Sequence, residues 1–365
     1  MELLSEAAGL RIGEMASGVG YHEMRDKKLL RRYIIIIVCL MFLKDASAAL
    51  PPKAGSDIPK RPQNIALDFL DMERPFGASS RHVDYIRGLI AKARAAVRVQ
   101  SSYDTNSAIA TLQSIDRLLK REGFVFGRNL LLSKGIDAGR IDCDNYCALY
   151  VAIAEEMTIP IVPVYAPNHG FIRFYLNDGS YLNWETTTAD VVIDDHYVKT
   201  MRISEESIRK GVYLAALQRK EFIAVEYNNI GAYLMSLRRF EEAAASFTMA
   251  LRNYPAFSSA YHNRGSCFYA LKRGAEALKD LLTARDLDPM RPGTRNTLGD
   301  IYFDMKEYAK AEEEYRAAIR LDPDDYIPCH NLGILLKETG RLHEGRKWID
   351  RAVQLRKHPH DRKRQ

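Results

Sequence analysis

Asp142-Cys143-Asp144-Asn145-Tyr146-Cys147 begins the stretch that decides the fold, which runs on through an apolar segment to Ile159-Pro160, then Asn168-His169-Gly170, and closes at Asn183-Trp184-Glu185-Thr186-Thr187. Asp142 is a good N-cap residue, and residues 143–157 carry almost no polar face before Glu155 and Glu156, which predicts a buried helix with Cys143 in its first turn. Unpaired N–H groups and the positive end of a helix lower a thiol's pKa and can hold an oxyanion. The carboxylates of Asp142 and Asp144 oppose that effect, less so if they face water.

The register of the following hairpin decides whether His169 and Glu185 meet. Phe171-Ile172-Arg173-Phe174-Tyr175-Leu176 and Tyr181-Leu182-Asn183-Trp184-Glu185 are strand-like runs around Asn177-Asp178-Gly179-Ser180. A two-residue Asp178-Gly179 loop sets Glu185 opposite Ile172 and turns it away from His169. A three-residue Asn177-Asp178-Gly179 loop with Gly179 left-handed sets it opposite Phe171, diagonal to His169 on the same face. Only the second register gathers Ile172, Phe174, Leu176, Leu182 and Trp184 on one face and leaves Arg173, Asn183 and Glu185 on the other, so the three-residue loop is predicted. Cysteine, histidine and acid then converge as nucleophile, base and orienting group of an acyl-transfer site: Cys143, His169 and Glu185.

These residues resemble the core of the transglutaminase-like cysteine hydrolase superfamily. In that family a cysteine opens a buried helix ending in Gly-Ile-Pro, and strands bearing a histidine and then an acid follow. Cys143 and Ile159-Pro160 have the family's spacing, with Thr158 in place of the glycine and Glu185 in place of the usual aspartate. The resemblance covers about residues 115–200. It implies an α+β papain/transglutaminase-like domain acting on a peptide or other amide bond through Cys143, His169 and Glu185, and no cofactor. Zinc on Cys143, Cys147 and His169 lacks a fourth ligand, so no metal is expected, and Cys147 reads as a small buried hydrophobe.

Downstream, Gly231, Gly265, Gly299 and Gly333 recur every 34 residues, the tetratricopeptide period. Alanine follows at Ala243, Ala277 and Ala311, a larger residue at Phe247, Leu281, Tyr315 and Ile349, alanine again at Ala250, Ala284, Ala318 and Ala352, and proline at Pro255, Pro289 and Pro323. Small residues let two helices approach and large ones wedge between units, which predicts four units stacked in an all-α solenoid. Gly345, where alanine is expected, suits a terminal unit. Asn228, Asn263, Asn296 and Asn331 recur on the inner side, available either to grip a peptide backbone or simply to face water. The layout resembles bacterial proteins that join a transglutaminase-like domain to tetratricopeptide repeats, which implies a protein or peptide partner in the repeat groove.

The N-terminus reads as an export signal: Arg31-Arg32, an apolar run of 11 residues at 33–43, and Ala46-Ser47-Ala48, too short to span a bilayer. The expected division is a signal peptide at 1–48, with Met24 as an alternative start, a proline-rich linker at 49–63, the transglutaminase-like domain at 64–223, and four repeats with a basic tail at 224–365. Export to the periplasm follows, without stable membrane insertion once the signal is cleaved; an uncleaved N-terminal anchor is the alternative. Helices are expected over 81–97, 108–122 and 203–217, a surface loop over 129–140, and a solvated turn at Asp194-Asp195-His196.

Across the chain's 365 residues, 47% are hydrophobic and 27% charged, the balance of an ordinary globular protein. A net charge of +6 spread along the chain does not call for nucleic acid. Cys143 and Cys147 are one helical turn apart, and Cys267 and Cys329 belong to units two apart, so no disulfide framework is implied. Two functions fit the sequence: an exported cysteine hydrolase or acyltransferase fed by its repeats, or a catalytically silent interaction scaffold.

Overall fold

The computed structural model describes residues 64–357. The signal at 1–48, the linker at 49–63 and the end of the basic tail lie outside them.

Three helices come first: α1 (Ile65–Met72), α2 (Ser80–Ala96) and α3 (Thr105–Arg121). Asp104 caps α3 by accepting from the Ser107 amide at 2.8 Å. The segment expected to be a surface loop instead holds α4 (Leu132–Ala138) and strand β2 (Arg140–Ile141), which pairs in parallel with β1 (Val125–Phe126). Glu73 explains the ordering, because its carboxylate accepts the Leu132 and Ser133 amides at 2.5 and 2.7 Å and so caps α4 from a distant part of the chain. That partner lies about 60 residues away, beyond the reach of local pattern.

Helix α5 (Cys143–Met157) starts and ends where the sequence predicts, and every residue from Asn145 to Ala154 is buried. It lies against a four-stranded antiparallel sheet ordered β3 (Ile161–Ala166), β4 (His169–Tyr175), β5 (Tyr181–Glu185), β6 (Asp190–Val192). The pairs Ile172 with Trp184, Arg173 with Asn183 and Phe174 with Leu182 are those of the three-residue loop. Gly179 is left-handed at φ 84°, and the Leu176 amide reaches the Ser180 carbonyl at 2.8 Å. Ile172, Phe174, Leu182 and Trp184 are buried on one face, and the Trp184 indole donates to the Tyr150 hydroxyl of α5 at 3.2 Å. Each such side chain contributes about 1.5–3 kcal/mol by leaving water.

The opposite face is buried as well. Helix α6 (Asp194–Thr200) covers it, so the turn expected at Asp194-Asp195-His196 is instead the start of a helix, with Asp195 and His196 exposed as expected and Asp194 only partly so. Asp194 accepts from Arg173 at 2.8 Å, Asn183 at 2.7 Å and Tyr181 at 2.7 Å. The helix expected over 203–217 shrinks to α7 (Glu205–Arg209), capped by Ser204. Beyond left-handed Gly211 the chain instead runs along the free edge of β3, with the Leu214 and Leu217 amides donating to Tyr165 and Pro163 carbonyls at 2.9 Å. An exposed edge carries unpaired backbone groups, and pairing them outweighs local helix propensity.

Eight helices follow in pairs: α8 (Arg219–Ser236) with α9 (Phe240–Asn253), α10 (Ser258–Ala270) with α11 (Gly274–Leu287), α12 (Pro292–Asp304) with α13 (Tyr308–Leu321), and α14 (Tyr326–Glu338) with α15 (Leu342–Lys357). The recurring glycine is where the two helices of a pair touch. A Cβ on Gly231 would lie 2.5 Å from the Phe247 ring, and one on Gly299 2.5 Å from the Tyr315 ring. The first pair also packs on the sheet-bearing region: Phe222 meets Phe69 at 5.3 Å between centroids, and Arg219 bridges Asp68 and Glu155. Tyr213 donates to Asp288 at 2.7 Å, and Phe257 meets Tyr165 edge-on at 5.2 Å. The first repeat and the start of the second therefore share one core with the sheet, and the later units form clusters of their own.

Candidate active site

Helix α5 and strand β4 place Cys143 and His169 on one cleft, where the Cys143 sulfur lies 3.9 Å from Asp144 Oδ1 and His169 meets Glu185. Asp142 caps α5 by accepting from Asn145, through its amide at 3.0 Å and its side chain at 2.9 Å, which leaves Cys143 in the first turn. Strand β4 crosses that turn at Gly170, where a Cβ would lie 2.5 Å from an Asp144 carboxylate oxygen and 3.4 Å from the Cys147 sulfur. Only glycine lets the strand come this close. His169, immediately before it, is thereby held beside the helix start.

His169 Nε2 lies 2.5 Å from Glu185 Oε2, as the diagonal register requires. Tyr197 donates to the same oxygen at 3.1 Å, and the Thr187 hydroxyl and amide reach the other at 2.7 and 3.2 Å. Burial alone would raise the Glu185 carboxyl, but the His169 and Thr187 hydrogen bonds outweigh it and hold the group below the usual glutamate value. An ionised Glu185 fixes Nε2 as the protonated nitrogen and leaves Nδ1 as the free base. Tyr197, stacked on Phe171 at 4.2 Å, was not read as a site residue. Its contact depends on how α6 packs, and it carries no spacing signal.

The thiol departs from expectation. Burial, then Asp144 and Asp142, push Cys143 far above an ordinary thiol, and the Gly170 amide offsets this only in part. The two carboxyl groups sit half-buried at the bottom of a cleft and not at an open surface: burial, then Asp144, pushes Asp142 up to about 8, and burial raises Asp144 as well. Desolvation and unscreened neighbours thus override the helix terminus, and the resting sulfur is a neutral thiol. Cys147 is fully buried with its sulfur 4.0 Å from the Thr186 hydroxyl, in keeping with a packing role.

Cys143, His169, Asp142 and Asp144 lie in a cleft of about 780 Å³. One side is formed by Phe126, Arg128 and Lys134, the other by Asn228, Asn229 and Tyr233 of α8, Asn263 of α10, and Arg291. The repeats are therefore a wall of the cleft. Asn229 reaches Asp144 at 3.4 Å. The recurring asparagines neither stand free nor simply face solvent: Asn263 donates to Asn228 at 2.9 Å and Asn331 to Asn296 at 3.1 Å, forming amide pairs between neighbouring units.

Comparison with known proteins agrees with the helix pairs. A family profile described as "Tetratricopeptide repeat" matches residues 229–292, and one described as "TPR repeat" matches residues 299–340. The chain carries tetratricopeptide repeats; neither match extends to the four-stranded sheet. Among solved structures, the crystal structure of MamA is 21% identical over 37% of this chain and 78% of that one, at a TM-score of 0.35. Pseudomonas aeruginosa pilF is 23% identical over 36% and 60%, at 0.34. The first TPR of Spaghetti (RPAP3) bound to an HSP90 peptide is 20% identical over 32% and 93%, at 0.31. No curated protein matches the chain.

Proposed function

We propose that the protein holds a polypeptide segment against its repeats and carries out acyl transfer on it, with Cys143 as nucleophile, His169 as base and Glu185 as the group that orients the imidazole. This extends the resemblance of residues 115–200 to the transglutaminase-like cysteine hydrolases. The observation that carries it is the 2.5 Å contact between His169 Nε2 and Glu185 Oε2, in a cleft shared by Cys143 and the repeat asparagines. Because the resting thiol is neutral, its proton passes to His169 Nδ1 as the sulfur attacks the amide carbonyl, and His169 then returns it to the departing amine. Water or a second amine resolves the thioester. Export fits the Arg-Arg, apolar and Ala-Ser-Ala order at the N-terminus, with an uncleaved anchor as the alternative.

A second reading has its own support. Tetratricopeptide repeats are protein-interaction units, and the upward push on the Cys143 thiol suits a silent docking scaffold. Incubating the full chain with a peptide pool and weighing it intact separates the two. A mass increase on Cys143, cleaved by hydroxylamine and lost in Cys143→Ala, supports acyl transfer. Polypeptide binding with no adduct at any pH, from a protein that remains folded, leaves the scaffold.

A further inference from the structure

Three cations line the Cys143 cleft from three separate elements: Arg128 after β1, Lys134 on α4, and Arg291 at the head of α12. None forms an ion pair with a carboxylate among the described residues, whereas Arg264, Arg285 and Arg295 in the repeats are each matched to a buried acid. Arg291 is also held in place. Its Nη1 donates to the Ser259 hydroxyl at 2.9 Å, and Ser259 is itself only 2% exposed. One nitrogen is spent on that anchor, and the remaining donors of the planar guanidinium have no carboxylate to meet.

Cations without carboxylate partners that line one cavity from several elements concentrate anions there. The cleft floor opposes it only in part: Asp142 is held by Asn145, Asp144 is reached by Asn229, and burial raises both carboxyl groups. The cavity's size suits several residues of an extended chain, and its far wall carries the Asn228, Asn229 and Asn263 amides, whose remaining donors and acceptors suit a peptide backbone.

Resting on the acyl-transfer reading for its chemistry, we infer that Arg291, with Arg128 and Lys134, forms an anion subsite in the Cys143 cleft, so that the preferred substrate is a polypeptide bearing carboxylate side chains next to the reacting amide. Arg291 is then a specificity-determining residue supplied by the repeats. A bidentate or charge-assisted contact of this kind is worth about tenfold or more in affinity.

The test is calorimetric titration of the full chain with N-acetyl-Glu-Glu-Glu-amide, the glutamine counterpart, and free glutarate. The acidic peptide should bind at least about tenfold more tightly than the glutamine peptide, with affinity falling as salt rises. Arg291→Gln should remove most of that preference, and Arg128→Gln, at an exposed position, should reduce it without threatening the fold. Equal binding of the two peptides, or an undiminished preference in both variants, overturns the subsite. Glutarate binding as tightly as the peptide overturns its polypeptide part. Repeating the titration in Cys143→Ala, which has no nucleophile, keeps the two proposals apart. Charge preference without any acyl adduct on the parent sinks catalysis and leaves the subsite, whereas adducts formed equally on both peptides do the reverse.

Discussion

Glu226→Gln should make the protein more stable at neutral pH and flatten its dependence on pH. Glu226 lies on α8, fully buried where the first repeat meets the sheet-bearing region, and neither of its side-chain oxygens has a hydrogen-bond donor. Burial first, then the neighbouring Glu73 carboxylate, raises it well above an ordinary glutamate. The folded protein therefore holds a proton on Glu226 that the unfolded chain has released above about pH 4.3. Stability contributed by this group is full below that pH and declines as pH rises, at up to about 1.4 kcal/mol per pH unit, until the folded-state value is passed. The amide of the variant keeps the shape, carries no charge and can donate to Glu73, so that decline disappears. Urea unfolding of both proteins at pH 5, 6, 7 and 8 measures the two slopes. Parallel slopes, or a variant less stable at every pH, would show that Glu226 is ionised and favourably paired in the folded protein, and would refute the reasoning.

Gly299→Ala should cost about 1–3 kcal/mol in urea unfolding, because the added methyl meets the Tyr315 ring, which is 2% exposed and cannot swing away; an unchanged midpoint would mean that the helix pair can open freely. Asp144→Asn should lower the pH at which iodoacetamide alkylates Cys143, since Asp144 is the strongest of the charges holding that thiol up; an unshifted rate profile would leave burial as the whole cause. Arg173→Leu should lose about 1–3 kcal/mol, as it removes the guanidinium that buried Asn183 and the Leu214 carbonyl share, while the partly exposed Asp194 keeps its bonds from Asn183 and Tyr181. A melting temperature within a degree of the parent's would show that this network contributes little.

Local periodicity carried much of this chain. The 34-residue recurrence of Gly231, Gly265, Gly299 and Gly333 was legible because every unit repeats the same close approach, so each copy states the same packing rule. The bounds of α5 followed from Asp142 as cap and the apolar run behind it. The pairing of His169 with Glu185 followed from alternation in the hairpin, since a one-residue slip would have turned Ile172, Phe174, Leu182 and Trp184 off one face. Each of these signals lies within a window where neighbours in sequence are neighbours in space.

What the tertiary structure decided lies outside such windows. How much water reaches Asp142 and Asp144 depends on Gly170 and α8 packing beside them, and that packing reverses the expected direction of the Cys143 thiol. The capping of α4 by Glu73, the edge pairing at Leu214 that cuts short α7, and the bonding of Asp194 to Arg173 each join segments that no local pattern connects. So does the cleft, where Arg128 and Arg291, 163 positions apart in the chain, face the same Cys143. Propensity and alternation act through adjacent residues, whereas desolvation and charge act through space, and only the folded chain determines which groups share that space.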